Sequence, residues 1–170
     1  MIETPRLLIR LPEDEDGEPY LAIHSDPDVT RWLSGPRPLS VADELERIAA
    51  RRRQQQELGY TMWTVEEKES DEVVGLAGLF HVENARPEVE VAYHFAKDRW
   101  GRGYATEAAG ACIDYGFGVA GLTRIVGLVA PENTASARVL EKCGMTLEGT
   151  GRYYGRDLLV YSLVQDDDAG

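Results

Sequence analysis

The chain has 170 residues, 43% of them hydrophobic and 28% charged, with 30 Asp and Glu against 18 Lys and Arg for a formal net charge of −12. That length suits one domain with a substantial core, and the acidic balance argues against a nucleic-acid partner, whose binder carries a basic face. No apolar run approaches the ~18 residues that span a bilayer, and no signal-peptide pattern precedes the first strand; the expectation is a cytoplasmic domain without a membrane partner.

Arg6 to Leu11 has strand character and closes at Pro12. An acidic cluster over 13–16 follows and reads as a solvated segment. Pro19–His24 and Pro27–Leu33 suggest two short helices, split by Ser25-Asp26-Pro27. After the loop Gly35-Pro36-Arg37-Pro38, Ser40 is a plausible N-cap, with Asp43 and Glu44 in the first turn. That helix carries an apolar stripe of Leu45, Ile48 and Ala49 and ends before Gly59. Tyr60–Val65 and Val73–Val82 flank a charged turn and read as an antiparallel hairpin. In the next strand, Glu88–Phe95, alternation places Glu88, Glu90, Ala92 and His94 on one face. Val89, Val91, Tyr93 and Phe95 then form the other, core-facing side.

A glycine-rich turn opens a helix over 105–115, in which Cys112 lies among apolar residues. Arg124–Val129 is an apolar strand ended by Ala130-Pro131. Thr134–Cys143 is a helix with Gly144 at C′. Thr146–Tyr153 and Leu158–Val164 are the final strands. Cys112 and Cys143 read as free thiols, and three scattered histidines offer no metal-ligand spacing, so no metal is expected. The order gives one domain over 1–165 and a short acidic tail over 166–170. Its class is α/β (α+β), with a mixed, mostly antiparallel sheet of about seven strands and helices on both faces.

The most informative segment is Arg99-Trp100-Gly101-Arg102-Gly103-Tyr104-Ala105-Thr106-Glu107-Ala108. Two glycines at a helix start can turn successive backbone N–H groups toward one point, where the helix dipole adds positive potential, so the site suits a pyrophosphate. A dinucleotide fingerprint would need Gly or Ala at Thr106, and a P-loop would need Gly-Lys-Ser/Thr; neither occurs.

Ala92-Tyr93-His94-Phe95 with Trp100-Gly101-Arg102-Gly103-Tyr104-Ala105-Thr106-Glu107-Ala108 resembles the signature of the GNAT superfamily of acetyl-CoA-dependent N-acetyltransferases. Thr4-Pro5-Arg6-Leu7-Leu8-Ile9-Arg10 resembles the opening strand of the RimJ/RimL-like branch, and Asn133 to Met145 its late Asn-x-x-Ser helix. The resemblance covers Thr4 to Leu163. It implies acetyl-CoA as cosubstrate, held by the backbone of Tyr93, His94 and Phe95 along the pantetheine and by Gly101, Arg102, Gly103, Tyr104, Ala105 and Thr106 at the pyrophosphate. Asn133 would reach the pantetheine, while Arg138 and Lys142 either meet the 3′-phosphate or are surface cations. Ala130-Pro131 is a place for the neighbouring strand to splay and free that edge.

Acetyl transfer needs a neutral amine and a stabilised thiolate. Ser136, one turn after Asn133, is the candidate donor to the sulfur. Glu90 is either the acceptor of the amine proton or a residue that orients substrate; His94 can titrate or simply pack. Asp98 stands where relatives often carry Gln or Arg, with Arg99 and Arg102 available to compensate. A Glu/Tyr pair used by some relatives is replaced by Leu128 and Leu140, leaving Tyr153, Tyr154 and Tyr161 in reserve. His24, Asp26, Asp28, Trp32 and Leu33 fall where acceptor walls form, and Asp28 and Trp32 are the substrate-binding candidates. The implied acceptor is a small-molecule or peptide amine, and the protein a monomer or homodimer. The other reading is a non-catalytic module that binds acyl-CoA or a protein partner.

Overall fold

A computed structural model describes residues 1–83 and 88–165; the acidic tail expected over 166–170 lies outside them. Eight strands form one sheet in the order β1-β2-β3-β4-β5-β6-β8-β7. They are β1 (Ile2–Glu3), β2 (Leu7–Arg10), β3 (Met62–Glu67), β4 (Glu72–His81), β5 (Val89–Phe95), β6 (Arg124–Val129), β7 (Thr146–Tyr153) and β8 (Arg156–Val164). The strand beyond the expected seven is the two-residue β1, too short to carry an alternation signal. All neighbours are antiparallel except β5 and β6. The helices are α1 (Gly17–Ser25), α2 (Pro27–Thr30), α3 (Val41–Leu58), α4 (Tyr104–Gly118) and α5 (Thr134–Lys142).

Local chemistry accounts for the helix ends. Ser40 accepts a hydrogen bond from the Asp43 amide at 3.2 Å, and Gly59 ends α3 at φ +81. That left-handed conformation favours glycine. Gly144 plays the same part after α5, at φ +82.

The main core lies between the sheet and α4, where Ala108, Ala109, Cys112 and Ile113 meet Val89, Val91, Phe95 and Ile125. A smaller cluster, Tyr20, Ile48 and Leu76, joins α1 and α3 to the opposite face. Cys112 is buried and Cys143 half-buried, both free thiols. No described helix is long and apolar enough to cross a membrane.

Two expectations need correction. The buried stripe of α3 is Glu44 and Ile48, with half-buried Arg51 next on the same face, while Leu45 is 37% exposed. The acidic cluster is not wholly solvated: Asp16 is buried, takes a two-pronged grip from Arg10 at 2.8 and 2.9 Å, and accepts from Thr64 at 2.7 Å. Charge pairing and two further hydrogen-bond donors, the Glu13 amide and the Thr64 hydroxyl, make that burial tolerable.

Candidate active site

The sheet opens between β5 and β6. β5 pairs with β4 along its whole length, and β6 pairs with β8 over six positions. Between β5 and β6 only Glu90 and Val126 are in register. Beyond them the strands part, and Ala130-Pro131 follows β6 where proline removes a ladder donor. The free edge of Tyr93, His94 and Phe95 is therefore available to an extended, amide-bearing chain.

At the open end, Gly101 (φ +73) and Gly103 (φ +81) shape the turn into α4. Gly103 is the N-cap, and no side chain caps the helix, which leaves its first backbone N–H groups facing the turn. The segment leading into β2 holds this turn in place. Glu107 in the first turn of α4 accepts from Thr4 Oγ1 (2.6 Å), the Arg6 amide (2.9 Å) and Arg6 Nε (2.7 Å). Arg6 also donates to the Arg102 carbonyl at 2.8 Å and stacks over the Tyr104 ring. Thr4 and Arg6 thus brace the cradle, a role that their separation from it in sequence hides.

The cations near the turn are arranged differently from expectation. Arg99 is committed to Glu67 at 2.6 Å and to Glu72, so it is a structural ion pair rather than a compensating phosphate contact. Arg102 lies 3.5 Å from Glu67 and is half exposed. Asp98 is 74% exposed beside Arg99. Arg138 and Lys142 are exposed on α5, without an ion pair among the described residues.

At the fork, Glu90 is 7% exposed. The Tyr154 hydroxyl donates to it at 3.1 Å and the Leu128 amide also donates to its carboxylate. Burial pushes its pKa up to about 8, against the pull of both donors. Tyr154 comes from a two-residue hairpin turn in which Tyr154 (φ +51) and Gly155 (φ +72) are both left-handed. That turn normally takes Asn-Gly, and a tyrosine in its first position is strained. Such strain persists where surrounding structure fixes it, often at functional sites.

Across the slot, Ser136 Oγ lies 3.0 Å from the Tyr93 hydroxyl, which also donates to the Ser136 carbonyl at 3.0 Å. Burial raises the Tyr93 pKa, so its hydroxyl stays protonated. Asn133 Oδ1 accepts from the Ser136 amide at 3.3 Å, making Asn133 the N-cap of α5. Gly127 lets that helix approach, because a Cβ there would sit 2.6 Å from Leu140.

The α1–α3 side supplies a buried polar chain. Glu44 bonds His24 Nδ1, and His24 Nε2 lies 2.8 Å from His94 Nε2. Burial, reinforced by His24, Arg51 and Arg47, holds His94 well below the ordinary histidine range, so its ring is neutral rather than titrating near pH 7.

Glu90, Tyr93, His94, Asn133, Ser136 and Trp32 all border one cavity of about 300 Å³. Asp28 does not reach it. Asp28 pairs with Lys97 at 2.5 Å outside the cavity, and that contact lowers its pKa. Tyr154, Arg47, Arg51 and Arg156 border the cavity as well. Tyr154 was legible only as one of three reserve tyrosines, and the arginines carried no spacing signal.

Comparison with known proteins agrees with this geometry. The acetyltransferase (GNAT) domain family matches residues 6–146. The protein YkkB of Bacillus subtilis (strain 168) is 35% identical over 161 residues, covering 93% of this chain and 92% of its own. The N-acetyltransferase p20 of Bacillus licheniformis is 32% identical over 173 residues, covering 98% and 97%. In fold, the chain superposes on Mycobacterium smegmatis RimJ in complex with CoA-disulfide with a TM-score of 0.82 at 21% identity, over 96% of this chain and 84% of that one. A slot in the sheet, an uncapped helix behind a Gly-x-Gly turn and this family match lead to one conclusion: the chain belongs to the GNAT family of acetyltransferases.

Proposed function

We propose that the protein transfers the acetyl group of acetyl-CoA to a primary amine, on a small molecule or a peptide N-terminus, by direct attack. The observation that carries this reading is Glu90: a buried carboxyl at the fork of β5 and β6, with a pKa near 8 and two fixed donors. A base with that proton affinity is matched to removing a proton from an amine at neutral to mildly alkaline pH. The left-handed glycines and the uncapped α4 fit a pyrophosphate, and the unpaired β5 edge fits the pantetheine amides.

Acetyl-CoA would supply an activated thioester. The chain's own residues do the rest. The β5 edge and Asn133 orient the arm, Glu90 takes the amine proton, and the Ser136 hydroxyl, beside the Tyr93 hydroxyl, donates toward the sulfur as charge develops there. Arg138 and Lys142, exposed on α5, are the cations for the 3′-phosphate.

The test is release of free CoA on incubation with acetyl-CoA and an amine panel at two pH values, with wild type and Glu90→Gln. Turnover reduced in the variant is the expected result. CoA binding without turnover on any amine would refute the transfer reading.

A further inference from the structure

The cavity has an electrostatic character opposite to that of the chain. The protein carries −12 overall, yet the charged side chains bordering the cavity are Arg47, Arg51 and Arg156 against Glu90 alone. Glu90 is largely protonated at neutral pH and offsets little of that charge. Elsewhere, Arg6, Arg10, Arg99 and Arg124 each pair with carboxylates. The three cavity arginines pair with none among the described residues. Among the described residues, Arg156 donates only to the Trp32 carbonyl at 3.3 Å, and Arg47 only to the Pro36 carbonyl.

Arg51 is the most telling of the three. Its guanidinium lies over the Tyr20 ring, and its buried Nη1 has no hydrogen-bond partner. Burying an unsatisfied guanidinium N–H is costly, and a fold retains it where something else completes the bond. Glu44 attracts Arg51 electrostatically, but it bonds His24 through Oε1, leaves Oε2 unpartnered among the described residues rather than ion-paired to Arg51, and does not border the cavity.

We infer that the acceptor amine carries an anionic group, a carboxylate or a phosphate-type oxyanion, and that Arg51, with Arg47 and Arg156, receives it. Guanidinium forks match both anions, and a half-enclosed setting strengthens the attraction. The same three cations oppose a polyamine, despite the acidic exterior that would draw one in. At about 300 Å³ the cavity suits a small amine.

This inference rests on the acetyl-transfer reading, and its test separates the two. Purified full-length protein with saturating acetyl-CoA is assayed on matched pairs: β-alanine against β-alaninamide, and 2-aminoethylphosphonate against propylamine, with spermidine as the cationic control. The anionic member of at least one pair should have a kcat/KM at least about 10-fold higher. That ratio should fall toward one in Arg51→Met and Arg156→Met, with the KM for acetyl-CoA unchanged; Arg51→Lys keeps part of it if the methionine variant folds poorly. A preference for neutral or cationic amines, or a ratio that survives both substitutions, overturns the inference. Should no amine turn over, the transfer reading alone fails. Calorimetry of the same pairs with the CoA-bound protein then decides the anion site: tighter binding of the anionic member upholds it, and equal binding refutes it.

Discussion

Replacing Glu90 with glutamine should make the protein more stable and less active, and the pH dependence of each effect is fixed in advance. In the fold the Glu90 carboxyl has a pKa near 8, against 4.5 for the free side chain. A carboxyl raised in this way stays protonated when folded and ionises on unfolding. Its stabilising proton is fully present below pH 4.5, is progressively lost as pH rises, and is gone above 8. At about 1.4 kcal/mol for each tenfold change in proton affinity, the full gap is worth at most about 5 kcal/mol, of which about 3 kcal/mol has been lost by pH 7; a neutral glutamine does not suffer that loss. Glutamine has nearly the same volume and no charge. Its amide can take the Leu128 donor, and the Tyr154 hydroxyl can turn to accept from it.

Thermal unfolding of the CoA-free protein is the assay. The two proteins should unfold together near pH 4.5. They should separate by roughly 6–12 °C at pH 7, and further at pH 8, at the ~2–4 °C per kcal/mol usual for a chain of this size. Activity should move the other way. The wild-type rate should rise through pH 8, and Glu90→Gln should lose on the order of 10²–10⁴-fold, the usual contribution of a positioned base. The deficit should narrow at high pH, where unprotonated amine is plentiful. A stability gap that does not change with pH, or superimposable rate profiles, would refute the reasoning.

Ser136→Ala should lower kcat by about 10- to 100-fold with a smaller effect on acetyl-CoA affinity, because its hydroxyl acts on charge that develops in the reaction; equal losses in steady-state rate and in calorimetric affinity would make it an ordinary binding residue. Tyr154→Phe removes a donor that favours the ionised Glu90, so the rising limb of the wild-type rate profile should move to higher pH. Tyr154→Asn relieves the left-handed strain and should raise stability by about 1 kcal/mol in chemical denaturation while slowing turnover. Bulky side chains at both Gly101 and Gly103 should abolish CoA binding in calorimetry, since each position needs φ near +75 and close backbone approach.

Much of this site was legible where one element carries its own signal. The period-2 alternation of β5 placed Glu90 and His94 opposite Val91 and Phe95, and the structure keeps that division. The Gly-x-Gly turn and the Asn-x-x-Ser spacing each lie within one segment. What escaped is long-range. Tyr154 reaches Glu90 from 64 residues away, and His24 joins Glu44 to His94 across three elements. Asp28 was placed on the acceptor wall by its neighbours in sequence, but Lys97 holds it outside. On α3 the apolar residues misled, since Glu44 shares the buried face that Leu45 leaves for solvent. A helix that buries charge breaks the amphipathic rule on which its reading depends, and such breaks gather at functional sites.

The fork also explains why position 90 is polar at all. Where β5 leaves β6, the Glu90 carboxylate accepts from the Leu128 amide. A buried backbone N–H left unpaired costs about 1–3 kcal/mol. Glu90→Val, which suits a strand by propensity, should therefore be less stable than Glu90→Gln by about that amount, and it leaves the Tyr154 hydroxyl without its partner as well. Glutamine and valine both remove the ionisable group, so the difference between them in stability at pH 7 reports the lost hydrogen bonds. If charge burial alone governed the site, denaturation would show both variants stabilised equally. The carboxyl group thus answers to the fold through its hydrogen bonds and to the chemistry through its proton, and the two substitutions separate those demands.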